Sequence, residues 1–321
     1  MAETKPSLLR TLTLTDAIAL VVGTVIGTGV FLKTAVMTQQ LGSPTLVLLA
    51  WLAAGLLSLA GALAYAELGA MFPHAGGEYV YLGRAFGDTP AFLYGWMQFA
   101  VAGAGGIAGL SVGFAIFLSA LIPLGGAWVE RTFQLFGQEV HWQFGLPQVV
   151  AVAAIVLLSA INCIGVAVGG RVQAVLTAAK LVGIAVIVAG VFFFSRNASW
   201  SHLATPGIPQ LGGVQAFGAA MMAALWAYNG WYLLPVVAGE VRNPQRNVPR
   251  GLILGMLAVM ATYLLANLSY FYALPLTEVV TSNSTAHPDA LPVAAKAAQT
   301  FSALLARLSS RLLSSSPPWG R

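Results

Sequence analysis

The chain has 321 residues, of which 58% are hydrophobic and only 8% are charged. Soluble globular proteins carry about 25% charged residues, so the few charges here cannot cover the surface of a soluble protein of this length. Composition therefore excludes a soluble one- or two-domain protein, and the small net charge of +5 fits a bias in membrane loops better than a nucleic-acid-binding surface.

Seven apolar runs are long enough to cross a bilayer, which takes about 20 residues in a helix. The runs are continuous and do not alternate at every second residue, which favours helices over a β-barrel. The predicted spans are Ala17–Val36, Leu46–Ala70, Ala91–Pro123, Val149–Val168, Val172–Phe194, Val214–Gly239 and Leu252–Leu274.

The basic residues of the loops predict the orientation, because lysine and arginine are enriched on the cytoplasmic side. The side that carries the N-terminus has Lys5, Arg10, Arg84, Arg171, Arg242, Arg246 and Arg250. The opposite side has Arg131 and Arg196, with Lys33 near a helix end. We therefore predict a multi-pass protein of the cell membrane with a cytoplasmic N-terminus.

The first span contains a cluster of glycine and threonine at Gly23–Val30, after a helix start that Asp16 is expected to cap. Each glycine weakens a helix by about 1 kcal/mol relative to alanine. A broken backbone in lipid survives only inside protein or beside a water-filled cavity. The cluster indicates either close packing of small residues or a break whose free N–H groups favour an anion such as a carboxylate.

The fifth span contains a buried charge, Lys180, nine residues after Arg171. At helical rise this places it roughly 13 Å into the bilayer. An intramembrane charge costs several kcal/mol unless it is satisfied, so a function is the leading hypothesis. Lys180 could carry a proton or act as a fixed cation in the place of a sodium ion, and the alternative is a lysine that snorkels to the interface.

The sixth span contains Asn229-Gly230, a turn-forming pair, between the aromatic residues Trp226, Tyr228 and Trp231. The group lies about 12 residues into the run, near the midplane, which argues against an aromatic belt at the interface. A second broken helix is therefore predicted. Two broken helices five spans apart are typical of inverted-repeat transporters, in which they form the substrate site.

The end of the chain departs from this pattern. We divide the chain into a cytoplasmic N-terminus (1–16), a transmembrane domain of seven helices (17–275), an outer loop with the start of an eighth helix (276–300) and a tail (301–321). The tail is rich in serine and contains no spanning run. It is interpreted either as an ordinary disordered tail or as the result of a truncation or frameshift.

No catalytic constellation is found. The four histidines fall in predicted loops without metal-ligand spacing, and the single cysteine excludes an internal disulfide. No phosphate-binding or dinucleotide-binding glycine motif is present. We expect no enzyme activity, no metal and no cofactor.

Four stretches of the sequence resemble amino acid permeases of the amino acid–polyamine–organocation superfamily, nearest the L-type amino acid transporter branch. They are Gly23–Phe31, Gly61–Tyr81, Ala179–Leu181 and Leu225–Pro249, within a resemblance that covers roughly Leu9–Pro275. The resemblance implies an all-α integral membrane protein with a LeuT-like inverted-repeat fold. In that fold the first and sixth helices would be broken, and the second repeat would be incomplete in this chain.

The resemblance also implies how a substrate would bind. Its α-carboxylate would be held by the backbone N–H groups of Gly27, Thr28 and Gly29. Its α-ammonium group would be received by the carbonyl groups of Val25, Trp226 and Asn229.

Further roles follow from the same resemblance. Trp226 matches an aromatic gate that closes over the substrate, and Lys180 matches a lysine that replaces a sodium ion and bridges the first and fifth helices. The predicted site is completed by the other residues of the two breaks, Ile26, Ala227 and Gly230.

The function implied is secondary transport of amino acids across the cytoplasmic membrane, independent of sodium, as an exchanger that works by alternating access. Neutral amino acids are favoured because no pocket carboxylate marks a cationic substrate. The outer loop Leu124–Pro147 lacks the cysteine that links animal members to a glycoprotein, so no covalent heavy-chain partner is expected. We expect the protein to lie in a lipid bilayer and to bind no nucleic acid.

Two other hypotheses remain open at this point. The chain could be a truncated permease fragment that does not transport, because helix faces meant for burial would lack partners. More remotely, seven runs and one buried lysine could indicate a seven-span receptor with a retinal-type cofactor.

Overall fold

The computed structural model describes residues 9–302, apart from 120, 136, 165, 196, 197 and 289. Most of the predicted tail, from 303 onwards, therefore lies outside the described residues. Within the described part, five helices are long and apolar enough to cross a membrane, or six if the two halves of the bent first span count as one. The predicted helical membrane fold is confirmed.

The chain divides into two compact units, and the larger one combines Met1–Gly77 with Thr177–Arg321. Its complete helices are α1 (Leu14–Val25), α2 (Gly29–Leu41), α3 (Pro44–Met71), α9 (Gly213–Ala227), α10 (Leu233–Val236), α11 (Pro244–Ala273) and α12 (Leu276–Val280). It also includes the part of α8 (Val166–Phe194) that follows Leu176, two short 3₁₀ turns and a helical segment over 293–302.

Both predicted breaks are present. The first span is divided into α1 and α2, which meet at a bend of 45°. The sixth span is divided into α9, which has 15 residues, and the four-residue α10. The start of α1 is fixed as expected, since Asp16 and Thr13 form a reciprocal capping box.

The first span continues to Leu41, five residues beyond the predicted end at Val36. Polar residues end the apolar run in the sequence, but the helix continues because Thr38 and Gln39 are buried and hydrogen-bonded. The Thr38 hydroxyl donates to the carbonyl oxygen of Thr34 at 2.6 Å. Gln39 Nε2 donates to the carbonyl oxygen of Val280 at 2.7 Å. As a consequence, the prediction that Lys33 lies near a helix end is wrong. Lys33 is the fifth of the 13 residues of α2.

The smaller unit, Glu78–Leu176, contains α4 (Glu78–Phe86), α5 (Asp88–Met97), a π-helical segment (Gln98–Gly103), α6 (Ala104–Ser119) and α7 (Leu146–Ile164). The predicted outer loop Leu124–Pro147 contains an element that was not predicted, an antiparallel hairpin of β1 (Ala127–Leu135) and β2 (Gln138–Gly145). Aromatic and β-branched residues face one another across it, as in the pairs Val129–Phe144 and Phe133–Val140.

The core of the larger unit forms where α11 packs against α1 and α3. Three fully buried aromatic rings lie at its centre, from Trp51, Tyr228 and Tyr263, with ring centroids 5.0 to 5.9 Å apart. A buried polar pair connects α2 to α11, because the Thr34 hydroxyl donates to Asn267 Oδ1. The core thus holds the helices that carry the two breaks.

The Thr34–Asn267 pair generates a prediction on stability. Thr34→Val keeps the side-chain shape but leaves a buried acceptor on Asn267 unsatisfied, so we expect a loss of about 1–2 kcal/mol in the free energy of unfolding. Thermal unfolding of the purified protein in detergent measures it. Thr262→Val is the control, since the partly exposed hydroxyl of Thr262 has, among the described residues, a bond only to the carbonyl of Ala258 in its own helix. Equal melting temperatures for the two variants would contradict the prediction.

Candidate functional site

The two helix breaks lie directly against each other. A Cβ atom on Gly29 would lie 2.5 Å from the Cβ of Ala227. Gly230 has φ of +124°, and a Cβ there would lie 2.8 Å from the carbonyl oxygen of Thr24. Only glycine permits this approach and this backbone conformation. The glycines that predicted the breaks therefore also allow the broken backbones to touch.

The start of α2 presents free backbone donors. The first N–H groups of a helix have no partner within it. Here the N–H groups of Phe31 and Leu32 both reach the carbonyl oxygen of Thr28, at 3.1 and 3.2 Å. Among the described residues, no backbone acceptor is found for the N–H groups of Thr28 and Gly29. Together with the positive end of the helix dipole, these groups attract an anion.

Lys180 binds the carbonyl end of the other half-helix. Its Nζ donates to the carbonyl oxygens of Gly23 at 2.9 Å and Ile26 at 2.7 Å. The last carbonyl groups of a helix carry partial negative charge and lack partners within it, so an ammonium group satisfies them. The lysine of α8 thus joins the predicted fifth span to the break in the first span.

A tyrosine that the sequence analysis missed connects both breaks. The hydroxyl of Tyr263, on α11, lies 2.9 Å from the carbonyl oxygen of Val25 and 2.8 Å from that of Ala227. It has one proton and can donate to one carbonyl at a time. Tyr263 lies in the apolar run Leu252–Leu274, where an aromatic residue gives no local signal that separates it from the core.

The carbonyl groups expected to receive an ammonium group are partly engaged. Val25 accepts from Tyr263, and Trp226 accepts from the N–H of Asn229 at 3.3 Å, which closes the turn after α9. Each carbonyl oxygen has a second lone pair. Asn229 is exposed, and Ile26 and Ala227 are buried.

The side chain of Trp226 is 45% exposed and lies beside the first break. Its Cζ3 is 3.6 Å from the position of a Cβ on Gly29, and the Lys33 ammonium group is 4.5 Å from the centroid of its ring. The accessible ring of Trp226 therefore lies close to the start of α2, where the N–H groups of Thr28 and Gly29 have no backbone acceptor among the described residues. This arrangement suits a small molecule that carries both a negative and a positive charge.

The hydrogen bonds of the Tyr263 hydroxyl lead to a prediction on stability, for which Tyr270 on the same helix offers a control. Tyr263→Phe leaves two carbonyl groups at the breaks without this donor, so we expect a loss of about 1–2 kcal/mol in unfolding free energy. Tyr270→Phe is the matched control on the same helix: Tyr270 is also fully buried, but its hydroxyl has no hydrogen-bond partner among the described residues. Thermal unfolding compares the two, and an equal effect would contradict the role of Tyr263.

Comparison with known proteins agrees with this geometry. The amino acid permease family model matches residues 12–311. The serine/threonine exchanger SteT of Bacillus subtilis (strain 168) is 36% identical, over 84% of this chain and 56% of its own length. The b(0,+)-type amino acid transporter 1 of Homo sapiens is 34% identical, over 87% of this chain and 55% of its own. The human cystine/glutamate transporter is 29% identical, over 88% and 54%.

This chain thus spans little more than half the length of the curated relatives that it matches. Those relatives are transporters and exchangers rather than enzymes. The family model covers nearly all of the described residues, including both breaks and Lys180. The chain belongs to the amino acid permease family.

Proposed function

We propose that the protein is a secondary transporter of amino acids that works as an exchanger by alternating access. The observation that carries the proposal is the contact between two broken helices, with free N–H groups and carbonyl groups beside each other inside membrane-spanning segments. A broken backbone in lipid needs polar partners, and a zwitterionic substrate supplies both kinds. The family match and the names of the relatives support the same function.

In this proposal, the α-carboxylate binds the N–H groups at the start of α2, from Gly27, Thr28 and Gly29. The α-ammonium group binds the remaining lone pairs of the carbonyl groups of Val25, Trp226 and Asn229. The ring of Trp226 closes over the substrate, because it is exposed and lies against Gly29. Buried Ile26 and Ala227, with Gly230, keep the two breaks in contact.

Lys180 takes the place of a sodium ion in this proposal. A cation at the end of α1 neutralises the carbonyl groups of the break, and an ammonium group fixed to α8 does so without a dissolved ion. We therefore propose that transport is independent of sodium.

Neutral amino acids are the proposed substrates. Among the described residues, the loops at both breaks, 26–28 and 228–232, contain no aspartate or glutamate that could receive a cationic side chain. We further propose that 17–275 forms the transmembrane domain in the cell membrane, with residues 1–16 in the cytoplasm. The basic loops support this orientation, and the lack of a cysteine in Leu124–Pro147 supports the lack of a covalent heavy chain.

Exchange in proteoliposomes tests the function. Vesicles loaded with unlabelled L-serine are expected to take up labelled L-serine. Lys180→Met removes two charge-assisted hydrogen bonds at the first break, so we expect uptake to fall by about tenfold or more. The matched control is Lys296→Met, because Lys296 pairs with Glu278 at 3.2 Å in the segment that follows α11. No uptake by the wild type would contradict the function; full uptake by Lys180→Met would contradict only the role of Lys180.

If Lys180 acts as a fixed cation, the rate of amino acid exchange should not depend on sodium. Replacement of external sodium by N-methyl-D-glucamine is expected to leave the initial rate of serine exchange unchanged, because the position of the ion is already occupied by the ammonium group. The measurement is the initial uptake rate at equal ionic strength. A rate that rises with sodium concentration would contradict the proposal.

A further inference from the structure

A second lysine lies within the broken first span. Lys33 is half-buried on α2, and its ammonium group contacts the face of Trp226. Among the described residues, no carboxylate lies within salt-bridge distance of Lys33. The ion pair found in this part of the chain joins Lys296 to Glu278 and does not involve Lys33. An aromatic face recovers only part of the cost of a partly buried charge. The aromatic contact therefore does not fully account for this lysine, and an intramembrane charge that no carboxylate neutralises indicates a function.

The position of Lys33 places its charge beside the proposed substrate. Gly29 and Lys33 are four residues apart, so they lie on the same face of α2, about 6 Å apart along the helix axis. The ring of Trp226 contacts both positions: one edge lies against Gly29, and the face lies under the ammonium group of Lys33. A ligand held by the N–H groups at Gly29 and covered by Trp226 is therefore close to a fixed positive charge.

We propose that Lys33 is a specificity-determining residue that excludes amino acids with cationic side chains from the site. The inference rests on the proposed function and adds the class of side chain that the site rejects. Every α-amino acid carries the same α-carboxylate and α-ammonium group, so the effect of Lys33 on those groups cancels between substrates. What remains is the interaction of the ammonium group with the side chain, which is repulsive for arginine and lysine, absent for serine and attractive for glutamate.

Competition with labelled L-serine in proteoliposomes tests this inference. The inhibition constants of unlabelled L-arginine, L-glutamate and L-serine are measured for the wild type and for Lys33→Met, which removes the charge and keeps an unbranched side chain. We expect the arginine-to-serine ratio of inhibition constants to fall by about tenfold in the variant. The glutamate-to-serine ratio is expected to rise, because the variant loses the attraction between the Lys33 ammonium group and the side-chain carboxylate of glutamate. Lys33→Arg keeps the charge and the aromatic contact, so both ratios should stay near those of the wild type.

The possible outcomes separate this inference from the proposed function. If the wild type exchanges serine and neither ratio moves in Lys33→Met, the inference is wrong and the function stands. Ratios that move in the same direction for arginine and glutamate also overturn it, since they indicate a change of shape rather than charge. If the wild type does not exchange serine, the proposed function fails and the inference fails with it. Lys33→Gln repeats the comparison in case the methionine variant does not fold.

Discussion

The structure depends on one constraint: a helix that breaks inside a membrane must find partners for its freed carbonyl and N–H groups. On the carbonyl side of the first break, these partners come from two other helices, α8 and α11. Lys180 contacts two carbonyl groups of the break and Tyr263 contacts a third. At the second break, the hydroxyl of Thr24 on α1 reaches the carbonyl oxygen of Gly230 at 3.2 Å. On the N–H side, the donors of Thr28 and Gly29 have no backbone acceptor in the described part of the chain. The described residues thus supply partners for the carbonyl half of the break, and in the proposed function a substrate carboxylate supplies them for the N–H half.

The same contacts couple the two breaks. The single proton of the Tyr263 hydroxyl can serve Val25 or Ala227, so a change in one broken helix alters the hydrogen bond available to the other. Tyr263 is held rigidly, since its ring packs against Trp51 and Tyr228 in the core. In the proposed alternating-access cycle, this fixed hydroxyl would give both broken helices one common point of contact.

The sequence predicts those parts of the site that have a local signal. The glycine cluster at Gly23–Val30 and the Asn229-Gly230 pair are unusual in apolar runs, and a single lysine in the fifth run is conspicuous. Tyr263 has no such signal, because its role depends on carbonyl groups far away in the chain. The true end of α2 was missed for the same reason, as Gln39 is satisfied by Val280, more than 200 residues later. The predicted end at Val36 therefore places Lys33 too close to the interface. The hairpin has no counterpart among the predicted elements, because length and hydropathy alone do not distinguish its short strands from a loop.

The close approach of the two breaks at Gly29 and Gly230 also limits how this protein can be stabilised. Replacement of glycine by alanine in a helix is a common route to a more heat-resistant protein, because it reduces the entropy of the unfolded chain. At Gly29 and Gly230 the added methyl group would meet the opposite half-helix at 2.5 and 2.8 Å and push the two backbones apart. A library of such substitutions should therefore gain heat resistance elsewhere in the chain while these two positions remain glycine.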